Sequence, residues 1–291
     1  MLKLGIGIDV TTKRFATAGV TYQPETTAYL NAVPILNDST IYFPSTPQSI
    51  LGSSIWTATD NCVIAIKNAL GLTLGANNLS TKFKYIYPRI GTSAAMCSYN
   101  LTNGVSNGTY LGGWTFDSTG SLPNGVNGYF DTGIQCIDTN FVPASSSFGF
   151  YSKTNTFGTF VDIGVLNNTS TLLLYGRDAS TFNSTRCLTT GGNNTIAITD
   201  SLGLLAMSRN NATTYNTYKN GVSLATFTDV SASAGVSTLN IFEASYNTAG
   251  SPGGQYSPRK RTWSFGGSSM TSIQMTNFYA ALNNFETALN R

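Results

Sequence analysis

The chain has 291 residues, of which 41% are hydrophobic, 12% aromatic and only 10% charged, with a formal net charge of +3. This charged fraction is far below the roughly 25% of an ordinary soluble domain, and Asn, Ser, Thr and Gly take the place of the charges. These residue types favour turns and strands, which argues against a mainly helical protein, and the apolar content argues against disorder. The small net charge predicts no specific nucleic-acid partner.

The chain contains no histidine, which excludes histidine-based catalytic groups and histidine metal sites. The glycine pairs Gly253-Gly254 and Gly266-Gly267 are not followed by the Lys-Ser/Thr of a phosphate-binding loop. We therefore predict no catalytic residue and no cofactor.

The four cysteines lie far apart in the chain with no Cys-x-x-Cys pair, which predicts free thiols that pack as small hydrophobic residues (Cys62, Cys97, Cys136 and Cys187). Asp9 interrupts the first apolar run too early for a secretory signal, and no stretch is apolar enough to span a membrane. We expect synthesis and folding in a reducing cytoplasm, without a signal peptide and without membrane insertion.

Residues 1–50 are predicted to form an extended N-terminal arm, because prolines at 24, 34, 44 and 47 are expected to break any helix there. The following segment, 51–90, is predicted to be helical. Its first helix spans 53–70, begins at a Ser53 or Ser54 cap and ends at Gly71. A second short helix or turn is expected to run from Leu79 to Pro88. The apolar stripe of the first helix consists of Trp56, Val63, Ile66 and Leu70.

Residues 91–268 show short apolar runs separated by turn-forming clusters, which predicts a β-sandwich or barrel. Asn220-Gly221, between two alternating runs, predicts a type I′ hairpin. The predicted strands are Phe148–Ser152, Phe160–Val165, Thr171–Tyr175, Thr195–Ile198, Leu204–Ser208, Tyr215–Lys219, Val222–Phe227, Leu239–Ala244 and Thr262–Phe265.

The last segment, 269–291, is predicted to form a helix over about 270–289 that packs with the helix at 53–70. The spacing of its apolar residues places them on one stripe, with a cap at Ser268, Ser269 or Thr271. The stripe consists of Ile273, Phe278, Leu282, Phe285 and Leu289.

Spaced short motifs over roughly 40–291 resemble concanavalin A-like, laminin-G-type jelly rolls of tailed-bacteriophage virion proteins. The motifs are Gly112-Gly113-Trp114-Thr115-Phe116, Pro123 to Tyr129, Asp131-Thr132-Gly133, Lys84 to Pro88, Tyr218 to Gly221 and Phe278 to Arg291. The resemblance implies a mainly β fold, a concanavalin A-like β-sandwich jelly roll with two flanking helices and an extended N-terminal arm.

The resemblance also suggests chemistry to look for. Retaining glucanases of this fold carry a Glu-x-Asp-x-Glu strand that pairs two carboxylates. This pattern is absent here, and the three glutamates are far apart, at 25, 243 and 286. Asp117 and Asp131 could pair, but both lie beside Gly and Asn turns where capping explains an aspartate, so we predict no enzyme. Loop calcium sites could use Asp117, Asp131, Asp138 or Asp162, and the metal content stays unknown.

Two further sets of residues are candidate contacts. Tyr246, Tyr256 and Trp263 could stack on sugar rings, whereas in a sandwich most aromatic residues fill the core. Arg259-Lys260-Arg261 could contact an acidic partner, and the alternative is a solvated strand entry that protects a sheet edge.

The function predicted from the sequence is that of a phage virion structural component, either a capsid decoration or a tail- or fibre-associated protein. Its partners would be other virion proteins and further copies of itself, and its location the virion. The alternative is a glycan-binding module that recognises a host cell-surface polysaccharide. A third hypothesis, a depolymerase, is the least favoured because no carboxylate pair supports it.

Overall fold

The computed structural model describes residues 21–33, 48–105, 107–136, 141–167, 171–178, 182–189, 191–231 and 238–291. Four α-helices lie in these ranges: α1 (Pro24–Ala32), α2 (Gln48–Leu70), α3 (Ala94–Cys97) and α4 (Ser272–Ala288). A short 3-10 helix spans Leu79–Thr81.

The strands carry most of the fold. They are β1 (Phe83–Tyr87), β2 (Thr109–Leu111), β3 (Trp114–Asp117), β4 (Gly120–Pro123), β5 (Tyr129–Gln135), β6 (Ser146–Ser152), β7 (Ile163–Leu166), β8 (Thr171–Asp178), β9 (Phe182–Thr189), β10 (Asn194–Ala197), β11 (Gly203–Arg209), β12 (Thr214–Lys219), β13 (Val222–Thr228), β14 (Asn240–Glu243), β15 (Asn247–Thr248), β16 (Ser251–Pro252) and β17 (Arg261–Gly267).

The strands form two sheets that pack face to face. The first sheet has the order β13-β12-β11-β6-β17-β4-β3, with β1 also paired to β17. The second has the order β10-β9-β8-β7-β14-β5-β2, with β15 and β16 attached beside β7. All strand pairs are antiparallel except β15 with β7. This is the predicted β-sandwich of the jelly-roll type.

The sandwich interior is filled by alternate residues of both sheets. Phe148 and Phe150 of β6 meet Leu172 and Leu174 of β8 in one buried cluster. Because side chains alternate along a strand, the intervening residues of these strands point to the two outer faces.

A helical layer covers the outer face of the first sheet. Phe278 of α4 packs on Phe83 and Phe265, with ring centroids 5.4 Å and 4.8 Å apart. Helix α2 packs beside α4, and its predicted stripe of Trp56, Val63, Ile66 and Leu70 is buried in the same cluster. As a result β6, β11 and β17 are buried on both faces over their whole length.

Helix α1 corrects the prediction that the N-terminal arm is extended throughout. Pro24 occupies the first helical turn, where its missing N–H needs no partner and its fixed φ suits the helix. Glu25 of α1 then forms a fully buried ion pair with Lys67 of α2 at 2.7 Å, and its other oxygen accepts the N–H groups of Asn78 and Leu79. The remaining parts of the predicted arm, 1–20 and 34–47, lie outside the described residues.

Three further predictions about the helices need correction. Helix α2 begins at Gln48, so Ser53 and Ser54 lie inside it and do not cap it. Residues 83–87 form strand β1, because they pair with β17 and extend the first sheet before residue 91. In α4 Ile273 is 75% exposed, because the buried stripe begins at Met275, two residues further along, and continues through Phe278.

Other local predictions are confirmed. Asn220 and Gly221 have φ values of 51° and 75°, as a type I′ turn requires, and Gly71 ends α2 with a φ of 68°. Thr271 caps α4 in a capping box with Gln274. The four cysteines are free and buried. None of the described helices is both long enough and apolar enough to cross a bilayer.

Replacing Lys67 with Met is expected to destabilise the fold by about 3–5 kcal/mol, because it leaves the Glu25 carboxylate buried without its cation. Chemical denaturation measures the change in the free energy of unfolding. The matched control is Lys219→Met, which removes the partly exposed pair with Asp200 and should cost about 0–1 kcal/mol. Equal losses in the two variants would contradict the assigned role of the buried pair.

The native protein is expected to resist thiol reagents at pH 8 and to expose four reactive thiols on unfolding. Burial raises the pKa of Cys187 to about 11 and that of Cys97 to about 12, so the reactive thiolate is scarce in the folded state. Titration with an aromatic disulfide with and without denaturant measures this. Fewer than four equivalents after unfolding would show that a disulfide is present.

Candidate functional site

Two of the three basic side chains at 259–261 are buried, in contrast to the predicted exposed cluster. The side chains of Arg259 and Arg261 are fully buried, and both guanidinium groups lie beside Asp162. Lys260, between them, points the other way and pairs with the largely exposed Asp117 at 2.6 Å. The prediction of a basic surface for an acidic partner is therefore wrong for the two arginines, which pair with carboxylates inside the protein.

Asp162 is the hub of this buried arrangement. One carboxylate oxygen accepts from Arg259 at 2.6 Å and from the backbone N–H of Gly176 at 2.7 Å. The other accepts from the hydroxyl of Ser257 at 2.5 Å. Since Gly176 lies on β8 and Ser257 in the chain before β17, Asp162 fixes these two segments beside the start of β7.

The same network crosses the sandwich. Glu243 of β14 accepts from Arg89 at 2.6 Å, and Arg261 of β17 lies 3.7 Å from the same oxygen. Arg89 also lies 4.1 Å from the ring centroid of Phe130, so its charge is stabilised by an aromatic face as well as by the carboxylate. Glu243 lies in the second sheet and Asp162 directly precedes its strand β7, whereas Arg261 lies in the first sheet. The ion pairs therefore connect the two sheets.

The outer face of the second sheet carries a different surface. Residue pairing across five neighbouring strands aligns one row there: Asp131, Phe242, Gly164, Leu173 and Arg186. In the part of the chain that the structure describes, no helical residue belongs to the apolar cluster on this face, which consists of Val161, Leu173, Tyr175 and Tyr246. We call this cluster and the polar residues around it the open-face patch.

Tyr246 lies across the centre of the open-face patch. It follows Ala244, which has a positive φ of 61°, and this bend carries the chain over β7. A Cβ on Gly164 would lie 2.5 Å from the Cβ of Tyr246, and a Cβ on Gly253 would lie 1.9 Å from its ring. Glycine at both positions therefore lets the Tyr246 side chain pack directly on the backbone of Gly164 and Gly253, where it stays partly exposed.

Tyr175, which packs beside Tyr246, is only 6% exposed, and polar groups lie around its hydroxyl. Its hydroxyl donates to Oε1 of Gln255 at 3.2 Å. Burial raises the pKa of Tyr175, Asp178 raises it further, and Arg186 lowers it, so both charges act on this hydroxyl. Arg186 in turn donates through Nε to the side chain of Asn193 at 2.7 Å.

The buried hub positions these groups. The N–H of Gly176, the residue after Tyr175, is held by Asp162, and Ser257, two residues after Gln255, is held by the same carboxylate. The backbone carbonyl of Gln255 also accepts from the N–H of Val161 at 3.0 Å. Sequence reasoning missed Tyr175, Gln255 and Arg186 because only strand pairing brings these three segments together.

The other predicted glycan contacts divide between surface and core. Tyr256 is partly exposed and lies close enough to Tyr129 to raise its pKa, after the larger effects of burial and Asp131. Trp263 is 1% exposed and donates to Glu286 at 2.8 Å beneath α4. Its prediction as a glycan contact is therefore wrong, because the helical layer covers the outer face on which it lies.

The aspartates considered for metal binding or catalysis are engaged separately. Asp117 bonds Lys260 and Thr119, and Asp131 accepts from the N–H of Gly133 and from Asn240. Asp138 lies outside the described residues. Within the described ranges no three acidic or cysteine side chains are grouped to hold a metal ion.

No protein-family model matches the chain, and no curated protein sequence matches it significantly. Solved structures that resemble it include domain 4 of the extracellular arabinanase AbnA of Geobacillus stearothermophilus in complex with arabinotriose. That domain has 15% identity and a TM-score of 0.46 over 68% of this chain and 98% of its own.

Two further structures with likeness to this chain are larger proteins. The sialidase of Trypanosoma rangeli has 10% identity and a TM-score of 0.49, over 77% of this chain and 39% of its own. A botulinum neurotoxin type C structure, described with two ganglioside molecules, has 10% identity and a TM-score of 0.49, over 70% of this chain and 52% of its own. Identities and TM-scores this low identify neither the ligand nor the activity of this chain.

Replacing Arg259 with Met is expected to lower the free energy of unfolding by about 3–5 kcal/mol, because it leaves the Asp162 carboxylate buried without its closest cation. The neighbouring change Lys260→Met, which removes a pair with a largely exposed carboxylate, should cost about 1 kcal/mol or less. Urea denaturation of the two variants tests the difference. Similar losses would contradict the opposite burial assigned to these adjacent residues.

Proposed function

We propose that the chain is a glycan-binding module and that the open-face patch is its binding surface. The single observation that carries the proposal is the placement of Tyr246. Its ring packs against Val161, Leu173 and Tyr175 and against the backbone of Gly253, stays partly exposed, and lies on a sheet face that carries no helix in the described ranges.

Sugars need this combination of surfaces. The apolar face of a sugar ring packs against an aromatic side chain, while its hydroxyls need donors and acceptors at the rim of the same surface. Tyr246 supplies the accessible apolar area above the buried Leu173, and Gln255, Arg186 and Asn193 supply the polar groups.

The rigidity of the support favours binding as well. The patch is built on strands β7 and β8, and the hydrogen bonds of Asp162 fix the chain segments on which Tyr175 and Gln255 lie. Preformed surfaces lose less conformational entropy on binding, so a modest apolar area suffices for a specific site.

The virion structural role predicted from the sequence remains a second proposal, and the two are compatible because a virion protein can carry a glycan-binding surface. The paired helices α2 and α4 favour it, since they form a layer on the sandwich with a shallow groove of about 230 Å³ between them. Electron microscopy of a purified particle with this chain labelled tests that role, and absence of the chain from particles would exclude it.

Replacing Tyr246 with Ala is expected to weaken glycan binding at least tenfold, a loss of about 1.4 kcal/mol, because the ring supplies the central apolar surface. A glycan array identifies a bound oligosaccharide, and titration calorimetry of the full chain measures the loss. The control is Tyr279→Ala, which removes a partly exposed tyrosine of α4 on the opposite face and should leave the affinity unchanged. The proposed function would be contradicted if no glycan on the array bound, or if Tyr246→Ala and Tyr279→Ala changed the affinity equally.

A further inference from the structure

Two oppositely charged side chains of the open-face patch, Arg186 and Asp178, lie close to Tyr175. Leu173 of β8 is paired with Arg186 of β9, and Tyr175 is paired with Ser184, so Arg186 lies diagonally next to Tyr175 on the outer face. Asp178 follows Tyr175 on β8, beyond an irregularity in the pairing. Both side chains are partly exposed.

The two charges balance each other at the rim of the patch. Strand pairing places both beside Tyr175, and in keeping with this Asp178 raises and Arg186 lowers the pKa of the Tyr175 hydroxyl. The other polar groups there, Gln255 and Asn193, are neutral amides that can both donate and accept hydrogen bonds.

A surface with this balance discriminates between ligands by charge. A carboxylate on a sugar would be attracted by Arg186 and repelled by Asp178. An ammonium group would be repelled by Arg186 and attracted by Asp178. A neutral sugar has hydroxyls that donate to Asp178 and accept from Arg186 at the same time, so it uses both charges.

Resting on the proposed function, we infer that the ligand class of the open-face patch is a neutral oligosaccharide, held by Tyr246 below its ring and by the Arg186 and Asp178 pair at its hydroxyls. Acidic and cationic glycans are disfavoured because each places a like charge beside one member of the pair.

The test uses the full chain at low ionic strength with three probes of similar length: a neutral glucan oligosaccharide, an oligogalacturonate and a chitosan oligomer. The wild-type chain is expected to bind the neutral probe about tenfold more tightly than either charged one. Replacing Asp178 with Asn should strengthen binding of the oligogalacturonate about fivefold, and Arg186→Gln should do the same for the chitosan oligomer.

The control Asp200→Asn makes the same charge change at a residue paired with Lys219, away from the patch, and should leave the preference unaltered. A preference for a charged probe that Tyr246→Ala abolishes would overturn this inference while keeping the proposed function. Absence of binding to glycans of any charge would overturn the proposed function itself. An equal shift in preference from Asp178→Asn and Asp200→Asn would also overturn the inference, because the effect would then come from net charge.

Discussion

The fold depends on charges buried between its two sheets. Arg261 lies in the first sheet, whereas Glu243 lies in the second sheet and Asp162 directly precedes its strand β7. Arg89 pairs with Glu243, and Arg259 pairs with Asp162. Removing any one partner would leave a charge in a dry interior, which costs several kcal/mol, so the network constrains how the sheets sit against each other. Hydrophobic burial is non-directional, whereas each charge-assisted hydrogen bond between the sheets has a defined partner and geometry.

The two outer faces of the sandwich differ in their helical cover, and the burial pattern of the strands differs accordingly. On the first sheet both faces of β6 and β17 are buried, because α2 and α4 cover the outer one. On the second sheet β5 alternates between buried and more exposed residues, as expected when one face meets solvent. Beside β5, strands β7 and β8 are buried on both faces beneath Tyr246, which is the partly exposed aromatic side chain of that cluster.

Local signals predicted local structure well. Asn220-Gly221 specified its turn because both residues tolerate positive φ, and the amphipathic spacing of α4 specified most of its buried stripe. Features set by distant segments were not predictable: Arg259 looked like a surface cation, and only the fold places Asp162 beside it. The site was predicted in part for the same reason, since Tyr246 was named from its type, whereas Trp263 is covered by a helix that no local pattern assigns to it.

Buried ion pairs hold the strands of the sandwich, and these strands position Tyr246 and Tyr175 on the outer face of the second sheet. We propose that the oppositely charged Arg186 and Asp178 beside them favour an uncharged glycan. A crystal structure of the full chain with a bound oligosaccharide tests this most directly. We expect a sugar ring stacked on Tyr246 with hydroxyls near Arg186 and Asp178. A sugar bound in the groove between α2 and α4, with the open face unoccupied, would contradict it.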